Sequence, residues 1–154
     1  MDEKTGLRRF PFPPGIPVIA LLLAWVLGKV RPVRIHWPAW TRWAGWCLVV
    51  TPFFVFLWAV ATFRRHHTVV NPRGDVTTIV TAGPFRYTRN PMYVSLVVLY
   101  IGATLAFQWV WAAILLVPMF LALHYLVVIP EERYLRMALR EQYSAYFQKV
   151  RRWL

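Results

Sequence analysis

The stretch MYVSLVVLYIGATLAFQWVWAAILLVPMFLALHYLVVI, residues 92–129, contains no Asp, Glu, Lys or Arg. As an α-helix, about 38 residues would extend about 57 Å. The hydrocarbon core of a bilayer is about 30 Å thick, so this length predicts two antiparallel membrane spans. A tight turn near Phe107 to Trp109 would join them, and Pro118 would kink the second span.

Two further apolar stretches precede this predicted hairpin. Residues 43–63 carry no charged side chain and are long enough to cross a bilayer. Residues 16–27 are apolar but short for a crossing, and we interpret them as an uncleaved first span because no small-residue cleavage site follows. The first two spans are thus expected within residues 15–63, after a polar, basic and proline-rich tail at residues 1–14.

The composition supports a membrane protein over a soluble domain. Only 16% of the residues are charged and 58% are hydrophobic, whereas about 25% of a soluble domain is charged. The net charge is +12, but the basic residues flank the apolar stretches instead of forming one stripe. This distribution favours a role in membrane topology over nucleic-acid binding, with membrane lipids as the expected contacts.

The sequence offers no convincing metal site. Cys47 is the only cysteine, which excludes an intrachain disulfide and a thiolate metal cluster. His66 and His67 are adjacent, and neighbouring side chains on a helix point about 100° apart, so they would chelate one metal poorly. We interpret them as part of a basic cluster at the membrane edge.

The distribution of basic residues predicts the orientation. With four spans, the tail, a connector at residues 64–91 and the C-terminal region share one side and hold 14 of the 18 Lys and Arg residues. The larger group is expected on the cytoplasmic side. The other four basic residues lie between Lys29 and Arg42. The preference of basic residues for the cytoplasmic side does not explain their position.

The C-terminal region, residues 130–154, has a different pattern. Tyr134, Leu135, Ala138 and Leu139 recur at helical spacing with basic residues largely between them. This pattern predicts an amphipathic helix that lies at the interface or folds back on the bundle. The fold class is therefore an all-α integral membrane protein with about four transmembrane helices and a C-terminal amphipathic helix.

One polar cluster precedes the hairpin, in the sequence GPFRYTRNPMY at residues 83–93. Asn90 is a good N-cap residue and Pro91 suits a first helical turn, so a helix should begin here. The free amides of that turn favour an anionic ligand group. The same residues are also compatible with a simple capped helix beside an arginine at the membrane surface.

The second polar cluster is Glu131 and Glu132, directly after the hairpin. They are either ordinary partners of a helix dipole or ligands of a cationic or hydroxyl-bearing group. Because a hairpin returns the chain, Arg89 and Glu131 can approach each other. His124, within the last span, is either a proton carrier or a neutral histidine bonded to a neighbouring segment.

Together the two clusters resemble a known superfamily. The order Gly-Pro-Phe-x-x-x-Arg-Asn-Pro-Met-Tyr, a hydrophobic hairpin, Glu-Glu-x-x-Leu and Tyr143-x-x-Tyr146 resembles the isoprenylcysteine carboxyl methyltransferases and phospholipid methyltransferases. The resemblance covers roughly Val76 to Val150. It implies a membrane enzyme that uses S-adenosylmethionine without a Rossmann domain, with a cytoplasmic cofactor-binding segment.

The resemblance also implies roles for individual residues. Backbone and apolar contacts to the cofactor are expected from Thr77, Thr78, Ile79, Val80 and Phe85. The methionine and adenosine portions would be held by Asn90, Pro91, Met92 and Tyr93, and polar cofactor groups by Glu131. Arg89 and Glu132 would order the site or lie near the reacting centre as the catalytic residues.

The sequence departs from the family pattern at three positions. Asn90 stands where the family usually has His, and Phe85 where it often has Tyr. Val127 stands where prenylcysteine-specific members carry an arginine about one turn before the paired glutamates. The last departure weakens the case for a prenylcysteine carboxylate as substrate.

The leading hypothesis is a membrane methyltransferase that acts on a lipophilic small molecule or a lipidated acceptor. One alternative is a nonenzymatic membrane protein in which the two clusters cap helices and contact headgroups. A second alternative is a nicotinamide-dependent membrane reductase of the steroid-reductase type, which is similar to this superfamily near its C-terminus. Cofactor preference would separate the three.

Overall fold

The computed structural model describes residues 12–65 and 80–154. These residues form helices, turns and irregular segments without a β-strand, which confirms the prediction of an all-helical fold. The elements are α1 (Gly15–Val30), α2 (Trp40–Arg65), a 3-10 turn (Gly83–Arg86), α3 (Pro91–Phe107), α4 (Val110–Leu123), a π turn (His124–Val128) and α5 (Ile129–Lys149).

Two helical stretches are long and apolar enough to cross a membrane, Trp40–Thr62 and Val110–Leu139. Only 17% and 28% of their most apolar windows are buried inside the protein. Two shorter apolar helices, α1 and α3, pack against α4 and α2 respectively. Large apolar side chains such as Leu22 and Phe54 remain more than half exposed. Such extensive apolar exposure fits a lipid environment better than water.

The predicted turn between the last two apolar helices is confirmed. Helix α3 ends at Phe107, and Gln108 adopts a left-handed conformation with φ of 54°. The Gln108 and Trp109 amides donate to the carbonyl oxygens of Leu105 and Thr104, which satisfies the end of the helix. The chain then reverses and begins α4 at Val110.

Helices α2 and α3 approach closely at two glycines. A Cβ atom on Gly45 would lie 2.2 Å from the Ala106 amide nitrogen, and one on Gly102 would lie 2.8 Å from the Leu48 carbonyl carbon. Small residues of this kind allow helix backbones to pack tightly within membranes. The close approach therefore holds the last turns of α3 against the first turns of α2.

Replacing Gly45 with Leu should therefore separate α2 from α3. Overpacking typically costs about 1–3 kcal/mol, so we expect a lower midpoint of thermal unfolding in detergent and a lower yield of monodisperse protein. Gly15→Leu is the matched control, because no atom lies within 4 Å of a Cβ at that position. Equal midpoints for the two variants would contradict the packing argument.

Helix α5 (Ile129–Lys149) covers most of the segment for which a C-terminal amphipathic helix was predicted, residues 130–154. The helix that begins at Val110 continues through the π turn and α5 without a break and ends at Lys149. In the π turn the Ile129 amide donates to the His124 carbonyl oxygen. This wider turn precedes Pro130, which cannot donate a backbone hydrogen bond. Residues 150–154 are not helical and return towards the start of α3.

Candidate functional site

The two predicted clusters and the C-terminal segment, residues 150–154, meet at one end of the hairpin. Thr88 forms an isolated parallel bridge with Arg151, and the Arg89 amide donates to the Arg151 carbonyl oxygen at 2.9 Å. The segment therefore joins the residues before α3 to the first turn of α5.

Glu132 lies at the centre of this polar cluster. Its side chain is 4% exposed, and Oε2 accepts from Arg152 Nε at 3.0 Å and from Nη2 at 2.9 Å. Oε1 lies 3.5 Å from Arg89 Nη1 and accepts from Asn90 Nδ2 at 3.4 Å. A buried carboxylate requires such partners. With two guanidinium groups around one carboxylate, the immediate surroundings of Glu132 keep a positive charge.

Asn90 occupies the N-cap position of α3, as predicted, but its side chain does not cap the helix. Its amide group instead donates to the Arg152 carbonyl oxygen at 3.0 Å and to Glu132. The Asn90 backbone amide donates to Thr88 Oγ1, and this hydroxyl donates to the same Arg152 carbonyl. The prediction of side-chain capping is thus wrong, because Asn90 reaches across to the C-terminal segment.

Arg89 is almost completely enclosed. Its side chain is 7% exposed, and its guanidinium carbon lies 3.8 Å from the centre of the Phe147 ring. The guanidinium carbon of Arg136 lies 3.7 Å from the same ring centre. Arg89 Nε and Nη1 are buried without a hydrogen-bond partner among the described residues. Nη1 has only the ion-pair contact with Glu132 at 3.5 Å. Buried donors without a hydrogen bond are costly, and they suit an anionic ligand group.

Glu131 has a different partner from Glu132. The Tyr93 hydroxyl donates to Glu131 Oε2, and the Tyr93 side chain is buried. Adjacent residues on a helix point about 100° apart, so the two glutamates serve different neighbours. Arg89 therefore pairs with Glu132 and not with Glu131, the residue that the sequence suggested could approach it.

The apolar residues predicted to contact the cofactor form a compact wall. Val80 and Phe85 are buried with Ala59 of α2, and Met92 packs against them. Tyr146 holds this wall to α5, since its hydroxyl donates to the Phe85 carbonyl oxygen at 2.7 Å. Pro91 is fully buried at the start of α3. Three predicted cofactor residues lie outside the described residues: Thr77, Thr78 and Ile79.

His124 contacts the C-terminal segment through Trp153. The Trp153 Nε1–H donates to His124 Nδ1 at 3.3 Å, and Phe120 packs on the Trp153 ring with centres 4.9 Å apart. Because His124 accepts at Nδ1, this geometry corresponds to a neutral imidazole. The arrangement matches the alternative in which His124 is bonded to a neighbouring segment.

Sequence reasoning missed three residues that connect the two clusters: Thr88, Arg152 and Trp153. Tyr146 belongs to the quoted Tyr143-x-x-Tyr146 motif, but the sequence assigned it no contact. Arg152 was counted only among the basic residues that set topology. Its position beyond the predicted motifs gave no local signal of a buried ion pair.

Within 12–65 and 80–154, no group of three or more His, Cys, Asp or Glu side chains could hold a metal ion. His66 and His67 fall outside those ranges.

These features define a membrane-type helical bundle with a buried polar site at one end of its hairpin. The sequence profile of the phospholipid methyltransferase family matches residues 40–142, and the chain belongs to this family. It is thus a member of the isoprenylcysteine carboxyl methyltransferase and phospholipid methyltransferase superfamily, which indicates a membrane methyltransferase. Comparisons with curated proteins and with solved structures found no match.

The matched region contains both predicted clusters and begins earlier than the resemblance seen in the sequence, at the first residue of α2. It ends before the C-terminal segment. Arg152 and Trp153, which contact Glu132 and His124, therefore lie outside the part of the chain that the family profile describes.

Proposed function

We propose that the protein is an S-adenosylmethionine-dependent methyltransferase that acts on a lipophilic acceptor. The observation that carries this proposal is the buried cluster in which Arg89, Asn90, Tyr93, Glu131 and Glu132 come together. These residues come from both motifs of the superfamily, which are separated by the whole hairpin.

The residues fit the chemical groups of the cofactor. The buried donors of Arg89 suit an α-carboxylate, and Glu131 suits an ammonium or ribose hydroxyl group. The wall of Val80, Phe85 and Met92 suits the adenine ring and the apolar surroundings of a sulfonium. The cofactor supplies an already activated methyl group, so the protein must chiefly position the reactants and exclude water.

Arg89 and Glu132 are proposed to hold the site in shape close to the reacting centre. Glu132 orients both Arg89 and Asn90, and Phe147 covers the Arg89 guanidinium. This enclosure strengthens the attraction of Arg89 for an anion, because the local dielectric constant is low. A lipophilic acceptor would reach the site from the surrounding lipid between the helices.

We further propose that all four apolar helices span the bilayer, with the polar site at the cytoplasmic face. At about 1.5 Å per residue, the 16 residues of α1 and the 17 of α3 extend about 24 and 26 Å, so modest bilayer thinning would accommodate them. Their packing against α4 and α2 supports this topology. The excess of Lys and Arg at the site's end supports the orientation.

The direct test is S-adenosylmethionine binding to the purified protein in nanodiscs by calorimetry. We expect saturable binding to the parent and at least a tenfold weaker affinity for Glu131→Ala, about 1.4 kcal/mol, since a charged hydrogen bond contributes about that much or more. Arg65→Ala is the control, because Arg65 is an exposed cation at the end of α2.

Two results would overturn the proposal. One is the absence of S-adenosylmethionine binding to a folded parent, and the other is preferential binding of a nicotinamide dinucleotide. The second result would instead support a membrane reductase.

A further inference from the structure

A half-open groove of about 300 Å³ lies at the end of the bundle opposite the polar site. The last turn of α1, the loop that follows it and the turn between α3 and α4 enclose it. Its lining includes Trp25, Lys29, Gln108, Trp109 and Trp111. Three indole rings and one ammonium group therefore face the same small volume.

Hydrogen bonds between separate elements fix the shape of this groove. Trp111 Nε1–H donates to the Arg31 carbonyl oxygen at 2.7 Å, which ties the loop to α4. Arg42 Nη2 donates to Gln108 Oε1 at 3.2 Å, and Gln108 Nε2 donates to Thr41 Oγ1 at 3.3 Å. The lining is thus held in place before any ligand binds.

The charge around the groove is entirely positive. Lys29, Arg31, Arg34 and Arg42 lie at this end of the bundle, and the described residues from 12 to 130 contain no Asp or Glu. The Lys29 ammonium lies 5.8 Å from the centre of the Trp25 ring and has no salt-bridge partner among the described residues. These are the same four basic residues whose position is not explained by the preference of basic residues for the cytoplasmic side. They are complementary to an anion.

We propose that this groove binds an anionic phospholipid, with the phosphate beside Lys29 and the acyl chains along α1. Leu22 and Val26 of α1 lie three residues before the lining residues Trp25 and Lys29, and they are 58% and 46% exposed. Indole rings commonly lie at the headgroup level of a bilayer. A second copy of the chain fits this surface poorly, because a symmetric contact would bring like charges together.

Native mass spectrometry of the protein in detergent tests this proposal. The probes are phosphatidylglycerol and phosphatidylcholine with identical acyl chains at equal concentration. We expect the parent to retain phosphatidylglycerol preferentially, and Lys29→Ala to lower this preference about fivefold, the effect of about one cation near a lipid surface. Arg65→Ala removes a cation at the other end of α2 and should leave the preference unchanged.

Several outcomes would overturn the proposal. These are equal retention of the two lipids by the parent, an equal loss in both variants, or dimer formation that replaces lipid binding. Displacement of the lipid by millimolar inorganic phosphate would indicate a site for free anions instead. Helical content and the unfolding midpoint of each variant establish that it is folded. Cofactor binding is measured separately at the opposite end, so failure of one proposal leaves the other standing.

Discussion

Glu132→Gln is expected to lower the free energy of unfolding by about 3–5 kcal/mol, the usual effect of breaking a buried ion pair. The substitution preserves shape and removes the negative charge. Arg89 and Arg152 would then be two guanidinium groups beside a neutral amide, and Arg89 is almost fully enclosed. Denaturant titration in mixed micelles measures the decrease in the free energy of unfolding. The rate of methyl transfer should decrease as well.

Glu131→Gln is the matched control for this prediction. Its amide oxygen can still accept the hydrogen bond from the Tyr93 hydroxyl, and no arginine depends on its charge in the described salt bridges. We therefore expect this variant to remain stable while it binds the cofactor more weakly. Equal stability of the two variants would show that Glu132 is not the central counter-charge.

A double substitution tests whether Arg152 is a true partner of Glu132. Glu132→Gln combined with Arg152→Gln removes one of the two cations that the single variant leaves unpaired. The stability loss should then be smaller than the sum of the single losses, by about 0.5–3 kcal/mol, as is typical of residues in contact. Strict additivity would mean that the bidentate contact at 2.9 and 3.0 Å contributes little.

The sequence was sufficient to predict the features that depend on hydropathy and local turn chemistry. A charge-free stretch nearly twice the bilayer thickness required a reversal, and the structure places it at Gln108. The same reversal brings residues 83–93 to the glutamates after the last apolar helix. The convergence of Asn90, Arg89 and Glu132 follows from this topology.

Other features depend on contacts that no local pattern encodes. The sequence predicted two apolar spans and a C-terminal helix, but not that a π turn before Pro130 would let α4 continue into α5. Asn90 has the ideal chemistry for an N-cap, but its amide finds Glu132 and the Arg152 carbonyl instead. The Asn90 outcome is set by tertiary partners and not by intrinsic preference.

The contacts of the C-terminal segment, residues 150–154, also could not be predicted from a local sequence pattern. Arg151 and Arg152 belong to a basic chain terminus whose composition resembles a simple topology signal. Only the fold shows that Arg152 reaches Glu132 and that Trp153 reaches His124. Long-range ion pairs of this kind, 20 residues apart on a continuous helix and its return, leave no periodic signature in the sequence.

Deletion of residues 150–154 is expected to lower kcat/KM for methyl transfer about 100-fold or more while the helices persist. The deleted residues supply the bidentate partner of Glu132, the carbonyl oxygen that binds Asn90 and the backbone acceptor for the Arg89 amide. Without them the residues before α3 lose their attachment to α5. A displacement of about 1 Å in positioning groups can cost about 100-fold in rate.

The control for this deletion is removal of Leu154 alone, because that side chain is 77% exposed. Arg152→Lys should be intermediate, since an ammonium group keeps the charge but loses the bidentate geometry. Circular dichroism would show retained helix, and calorimetry would show whether cofactor affinity or turnover is lost. Full activity in the deleted protein would mean that the family-matched region, residues 40–142, holds its polar site without help from the C-terminal segment.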